Sequence, residues 1–243
     1  MRAFATALGV IAGLALASAC GSQIGDPSGT QQAADGPDGG ASGAADDPDE
    51  EGTPPGPDAM PVAVTLSQSA TEDITPLNSV ACIEEDDAGN PVRHRENSYW
   101  RVFPIEGRIE VDEVSVGVES AADAAGAQPM SVRIHKLAGN ELVLDKLTLL
   151  GSADVSVANQ EAGILTVPVS ASVPADSKLV VEIHVPDSAE GSTTKLFMGS
   201  NTAGQTASSY LSADACDLGD PVDLVDIGFP DVHFVMSVSG TQY

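Results

Sequence analysis

Leu179-Val180-Val181-Glu182-Ile183-His184-Val185 is the stretch that decides the fold. Leu179, Val181, Ile183 and Val185 fall on one face, and Val180, Glu182 and His184 on the other. That period of two is the signature of a β-strand with one face in a core. The same alternation recurs on both sides of it. Val62, Val64 and Leu66 show it, as do Ile109 with Val111, then Val114, Val116 and Val118. Met130, Val132 and Ile134 oppose Ser131, Arg133 and His135, a strand with a wet face. Leu142 to Leu144, Leu147 to Leu150, Val155 to Val157 and Ile164 to Val169 follow, and Val232, Phe234, Met236 and Val238 end the series. Turn residues separate the runs, at Asp87-Ala88-Gly89-Asn90-Pro91, Ala138-Gly139-Asn140, Pro174-Ala175-Asp176 and Pro186-Asp187. The alanine-rich stretch Ser120 to Gln128 is broken by Gly126 and Pro129, so no helix of three turns is predicted. About eight to ten strands without intervening helices predict an all-β chain, a β-sandwich of jelly-roll type.

The N-terminus belongs to something else. Met1-Arg2 is followed by an apolar run from Ala3 to Leu16, too short for a membrane span and placed as an export leader. It ends in Leu16-Ala17-Ser18-Ala19-Cys20. Ala17 and Ala19 fit ordinary leader cleavage, while the same residues resemble the bacterial lipobox, in which the cysteine is acylated and becomes the mature terminus. The lipobox implies a lipid anchor at Cys20 and, with Gly21 and Ser22 following, an outer-membrane location; ordinary cleavage implies secretion. From residue 20 to about 60 the chain is mostly Gly, Pro, Ala, Ser and acidic residues, with no lysine, arginine or aromatic. Such a segment cannot bury enough apolar surface to offset the entropy of ordering, and it reads as a tether spanning about 35 Å or more. The expected organisation is a leader at 1–19, a disordered acidic tether at 20–60 and a β-sandwich at 61–243.

Acidic residues number 36 against 10 basic, for a net charge of -26. That field repels phosphate backbones, argues against nucleic acid as a partner and keeps the chain soluble and monomeric. Three cysteines are present, Cys20, Cys82 and Cys216. Acylation of Cys20 leaves Cys82 and Cys216 as a pair in an oxidising compartment; the alternative is two separate buried thiols.

Asn97-Ser98-Tyr99-Trp100-Arg101-Val102-Phe103, the turn Val173-Pro174-Ala175, Gly199-Ser200-Asn201, Gly204-Gln205-Thr206, Ser209-Tyr210 and Gly228-Phe229-Pro230-Asp231-Val232-His233 carry a resemblance. Between about Asn78 and Gly240 the chain resembles jelly-roll modules of the galactose-binding-like or proprotein-convertase P-domain-like type in bacterial secreted proteins. The resemblance implies location and architecture, and it brings no active site with it.

Catalytic patterns are missing: the sequence holds no G-x-S-x-G, H-E-x-x-H, C-x-x-C, P-loop, G-x-G-x-x-G or EF-hand spacing. A non-enzymatic chain is expected. His135 and His184 fall on polar strand faces and read as solvated; His233, beside Asp231, reads as a residue that orients a loop. Adjacent Tyr99 and Trp100 face opposite ways, one into the core and the other outward or under a loop, with Trp100 and Tyr210 the candidates for a stacking platform. A Cys82–Cys216 bridge would bring Glu84, Asp86 and Asp87 toward Asp217 and Asp220, where crowded carboxylates suit calcium, the one cofactor the sequence suggests. The functional expectation is a surface-displayed binding or adhesion module for an unidentified glycan or envelope protein, the alternatives being an accessory lipoprotein docked to a larger assembly and a hydrolase-associated domain.

Overall fold

The computed structural model describes residues 60–243 apart from 89, 125, 190, 191 and 193, together with the backbone of a strand at residues 6–10. The remainder of the expected leader, Cys20 and the tether as far as residue 59 lie outside the described residues. In chain order the strands are β1 (Thr6–Val10), β2 (Val62–Ser67), β3 (Val80–Glu85), β4 (Pro91–His94), β5 (Asn97–Phe103) and β6 (Ile109–Ala122). Then come β7 (Ala127–Leu137), β8 (Leu147–Ala158), β9 (Gln160–Val173), β10 (Lys178–Val185) and β11 (Lys195–Met198). The series ends with β12 (Ser200–Asn201), β13 (Tyr210–Ala213), β14 (Leu218–Asp223), β15 (His233–Phe234) and β16 (Met236–Gln242).

The pairings make a jelly roll. One sheet runs β2-β16-β6-β9 and the other β5-β10-β7-β8, all antiparallel. Taking these strands in chain order, the chain changes sheet at every step except β7 to β8, which is the winding of two interleaved Greek keys. Two insertions decorate it. The β3–β4 hairpin lies between β2 and β5, and β11 to β15 lie between β10 and β16, with β13 and β14 widening the second sheet to six strands. β1 pairs with the hairpin along β3.

The inner faces supply the core. Leu179, Val181 and Ile183 of β10 pack with Tyr99, Val114, Val116, Val132 and Ile134, all fully buried. The phase of β6 changes midway, from Ile109 and Val111 to Val114, Val116 and Val118, because β6 carries one more residue than β16 where Val111 and Glu113 stand opposite Gly240 and Ser239. Leu142 to Leu144 departs from expectation. It is no strand but a loop entering a short 3₁₀ turn at Leu144–Lys146, and Leu142 is buried against Trp100, Leu137 and Val180 on the outer face of the six-stranded sheet. Leu147 to Val157, read as two runs, forms the single strand β8.

Two contacts close the sandwich. β8 and β9 are edge strands of the two sheets, and well away from the turn that joins them a Cβ on Gly151 would stand 2.3 Å from the Ser170 carbonyl oxygen, so only glycine permits that approach. Inside, Arg101 of β5 is fully buried and pairs with no carboxylate among the described residues. Its guanidinium donates to the Ala207 carbonyl at 2.7 Å and the Phe234 carbonyl at 2.6 Å, with Gln68 Oε1 at 3.5 Å. Burial lowers its pKa to about 10.

Cys82 of β3 and Cys216, in the 3₁₀ turn Asp214–Cys216, form a disulfide with Cα atoms 6.0 Å apart across 134 residues. It ties one insertion to the other. Replacing both cysteines with serine removes a constraint on a long unfolded loop, and denaturant titration is expected to show a loss of about 3–5 kcal/mol. Equal stability of the oxidised and cysteine-free chains would overturn this.

Candidate functional site

The outer face of the six-stranded sheet carries polar side chains where strand centres normally bury apolar ones. Register explains how they meet. Glu182 stands opposite Trp100 of β5 and Arg133 of β7; His184 stands opposite Ser98 and Ser131; Val180 stands opposite His135. Tyr210 and Ser212 of β13 extend those rows beside Trp100 and Ser98. Alternation within each strand and pairing between strands therefore bring Ser98, Arg133, His135, Glu182, His184 and Ser212 onto one face.

Glu182 is the hub, with 4% of its surface exposed. Its Oε1 accepts from Ser98 Oγ at 2.7 Å and Arg133 Nη1 at 3.0 Å, and its Oε2 accepts from His135 Nε2 at 2.9 Å. Burial raises its pKa, but the hydrogen bonds from His135 and Ser98 and the Arg133 charge outweigh burial and hold it below the ordinary carboxylate range. His184 Nδ1 lies 3.2 Å from Ser98 Oγ. With the Ser98 proton on Glu182, His184 Nδ1–H donates and Nε2 is left as an acceptor. Burial and then the Arg133 charge push the His184 pKa down. His135 and His184 thus face outward as the alternation implies, but they are not solvated: both are drawn into the Glu182 cluster by cross-strand neighbours.

Around this cluster is a cleft of about 380 Å³. Leu144, Leu147 and Leu149 form an apolar wall, with Leu144 and Leu149 exposed, and Ser212 to Asp214 with Gly219 form the facing side. Trp100 lies in the floor at 2% exposure, its Nε1–H donating to Ser212 Oγ at 3.0 Å, and it packs under Leu142. It has no ring face to offer as a platform. Tyr210 is partly buried against the same cluster.

The acidic loops are held apart in their hydrogen bonding. Glu84 pairs with Arg95 at 2.9 Å. Asp86 accepts from the side chain and backbone of Asn90 and from the Ala88 backbone, which lowers its pKa. Asp220 Oδ1 accepts from the Leu144 backbone at 3.1 Å, and Asp217 takes a left-handed conformation with φ 60°. Among the described residues no three His, Cys, Asp or Glu side chains converge as metal ligands. His233 joins two loops, accepting from the Gly204 backbone N–H at 3.1 Å through Nδ1 and donating to the Pro230 carbonyl at 3.0 Å through Nε2. His94 is buried, which lowers its pKa, and sits edge-on to Phe197 with centroids 5.6 Å apart.

No family model and no curated protein sequence matches the chain. Among solved structures it is similar to the cysteine protease and lectin-like domains of Cwp84, a surface layer associated protein of Clostridium difficile, at 16% identity and a TM-score of 0.45 over 62% of this chain and 33% of that one. It is also similar to clostridial Cwp84 after propeptide cleavage, at 16% identity and a TM-score of 0.44 over 63% of this chain and 37% of that one. The chain thus spans about a third of the length of the proteins it matches. Likeness at that level is silent about ligands, so the cleft is read from its own residues.

Acid should act on these groups in order. His184 and His94 hold folded pKa values below their unfolded ones, so their contribution is present above about pH 6.5 and is lost as pH falls through the histidine range. Glu182 contributes above the glutamate range and loses that contribution as pH drops below about 4. Melting temperature is expected to decline in two stages, and Glu182→Gln to cost about 2–3 kcal/mol at pH 7 and to flatten the second stage. An unchanged acid limb in the variant would contradict the assignment.

Proposed function

We propose that the chain is an exported cell-envelope protein whose jelly roll is a non-catalytic binding module, seating a neutral, hydroxyl-rich ligand of the glycan class in the cleft around Glu182. The observation that carries this is the Glu182 hub. Its hydrogen bonds fix Ser98, Arg133 and His135 before any ligand arrives, and Ser98 in turn holds His184, leaving donors on Arg133 and an acceptor on His184 along the cleft. Mixed donors and acceptors at fixed spacing suit a ring of hydroxyls, and the Leu144, Leu147 and Leu149 wall suits its apolar face. The net charge of -26 repels polyanions. Ser98 donates to Glu182, whose carboxylate is held below the ordinary range by its other donors and is a weak base toward that hydroxyl.

Isothermal titration of the chain against a panel of neutral oligosaccharides tests it. Arg133→Ala and His184→Ala are expected to weaken binding at least about tenfold; Arg133→Ala also lowers the melting temperature, because it removes a charge partner of the buried Glu182, so binding is compared at a temperature where both variants are folded. A ligand bound equally by wild type and both variants sits elsewhere, and the cleft reading falls.

The leader, the lipid anchor at Cys20, the acidic tether and the outer-membrane location belong to the same proposal. They rest on the lipobox resemblance and on composition. Detergent phase partitioning is the measure: wild type is expected in the detergent phase and Cys20→Ser in the aqueous phase. Identical partitioning refutes the anchor.

A second reading, docking to a larger envelope assembly, is favoured by the strand seated against β3.

A further inference from the structure

The β3–β4 hairpin stands apart from the jelly roll, and β3 is the middle strand of its own three-stranded sheet. One edge is settled by internal contacts. The Cys82 N–H donates to Asn97 Oδ1 at 2.7 Å, and the Cys82 carbonyl accepts from the Arg95 N–H at 3.1 Å. In an extended strand the backbone groups of successive residues point to opposite edges. Ala81 and Ile83 therefore direct their N–H and C=O groups away from Cys82's partners, toward β1, where they stand opposite Gly9 and Ala7. Four backbone polar groups at the centre of β3 are served by a segment from the expected leader.

The geometry points to a strand-addition site along Val80–Glu84, open once the leader is removed, whose occupant is an extended segment of another envelope protein with small and apolar residues in the pattern of Thr6–Val10. The inference rests on the export reading in one respect only, that residues 1–19 leave the mature chain. Three observations support it. First, the seat is built: it takes five residues in continuous antiparallel register without a bulge. Second, Val80 packs into the main core and Ala81 and Ile83 pack against Phe197, so the strand rests on a firm backing. An edge of this kind recruits a partner strand through main-chain hydrogen bonds, with side-chain size setting preference. Third, a second copy is a poor occupant, because two chains of net charge -26 repel. Glu84 at the end of the seat is already paired with Arg95, and Glu85 lies just past it, which favours a partner with a basic residue immediately before the paired segment.

Hydrogen exchange at single-amide resolution tests this on the protein isolated from the envelope, whose N-terminal mass is measured first. Ala81 and Ile83 amides are expected to exchange rapidly. Adding the synthetic peptide Ala-Thr-Ala-Leu-Gly-Val-Ile, residues 5–11, should slow them on the order of tenfold or more, and the same peptide with proline in place of Ala7 and Gly9 should not. In the full-length precursor the two amides should be slow, and Ala7→Pro with Gly9→Pro should release them. Slow amides in the isolated protein with no peptide present, or a dimer that forms through this edge in sedimentation, would overturn the proposal. So would a mature protein that retains residues 6–10. Oligosaccharide titration of the same samples reads the Glu182 cleft separately, so failure at one site is distinguishable from failure at the other.

Discussion

A charge in the interior governs how the pieces of this protein hold together. Arg101 occupies a core position on β5 where alternation calls for an apolar side chain, and it meets carbonyl oxygens in place of a carboxylate. Burying a guanidinium is costly unless its donors are satisfied, so the chain segments that supply Ala207 and Phe234 must come to β5 and stay there. Those segments belong to the long insertion between β10 and β16. That insertion also supplies β13 and the 3₁₀ turn that wall the cleft. The placement of the cleft wall is thus slaved to one buried cation.

The cleft shows a related economy. A buried ion pair adds little net stability, and an apolar row across β5, β10 and β7 would hold the sheet as well. What Glu182 contributes is position. Three donors converge on one carboxylate, and they favour its ionised form against the opposing effect of burial. Arg133 and His135 are fixed by the anion behind them and His184 by Ser98, so the cluster is set before any ligand reaches the cleft.

How much of this could be read in advance depended on the range of the interaction. The strands of the jelly roll were legible because alternation is local: Leu179 to Val185 shows its two faces without reference to any other segment. Even the bulge in β6 opposite β16 left a trace, as the switch from odd to even positions between Val111 and Val114. Leu142 to Leu144 misled because three apolar residues in a row suit a strand or a loop folded over a tryptophan equally. The cluster was visible only in fragments. Glu182 in an apolar strand, and Arg133 two residues before His135, are each ordinary; cross-strand register unites them, and register is not written in either strand alone. The disulfide was legible by counting, whereas Gly151 and Arg101 were not, since their reasons lie in partners that are distant in sequence.

The covalent bond between Cys82 and Cys216 has a mechanical meaning. β3 and β4 form a small sheet outside the jelly roll, and a hairpin joined to its neighbours by hydrogen bonds alone would peel away under load one pair at a time. With Cys82 bonded to the turn beside the cleft wall, tension applied along β3 runs into a sulfur–sulfur link and from there into the six-stranded sheet. The hairpin becomes a load-bearing handle. A pull on it is shared across the whole sandwich, and the same bond makes the turn at Asp214–Cys216 the first part of the cleft to register that pull.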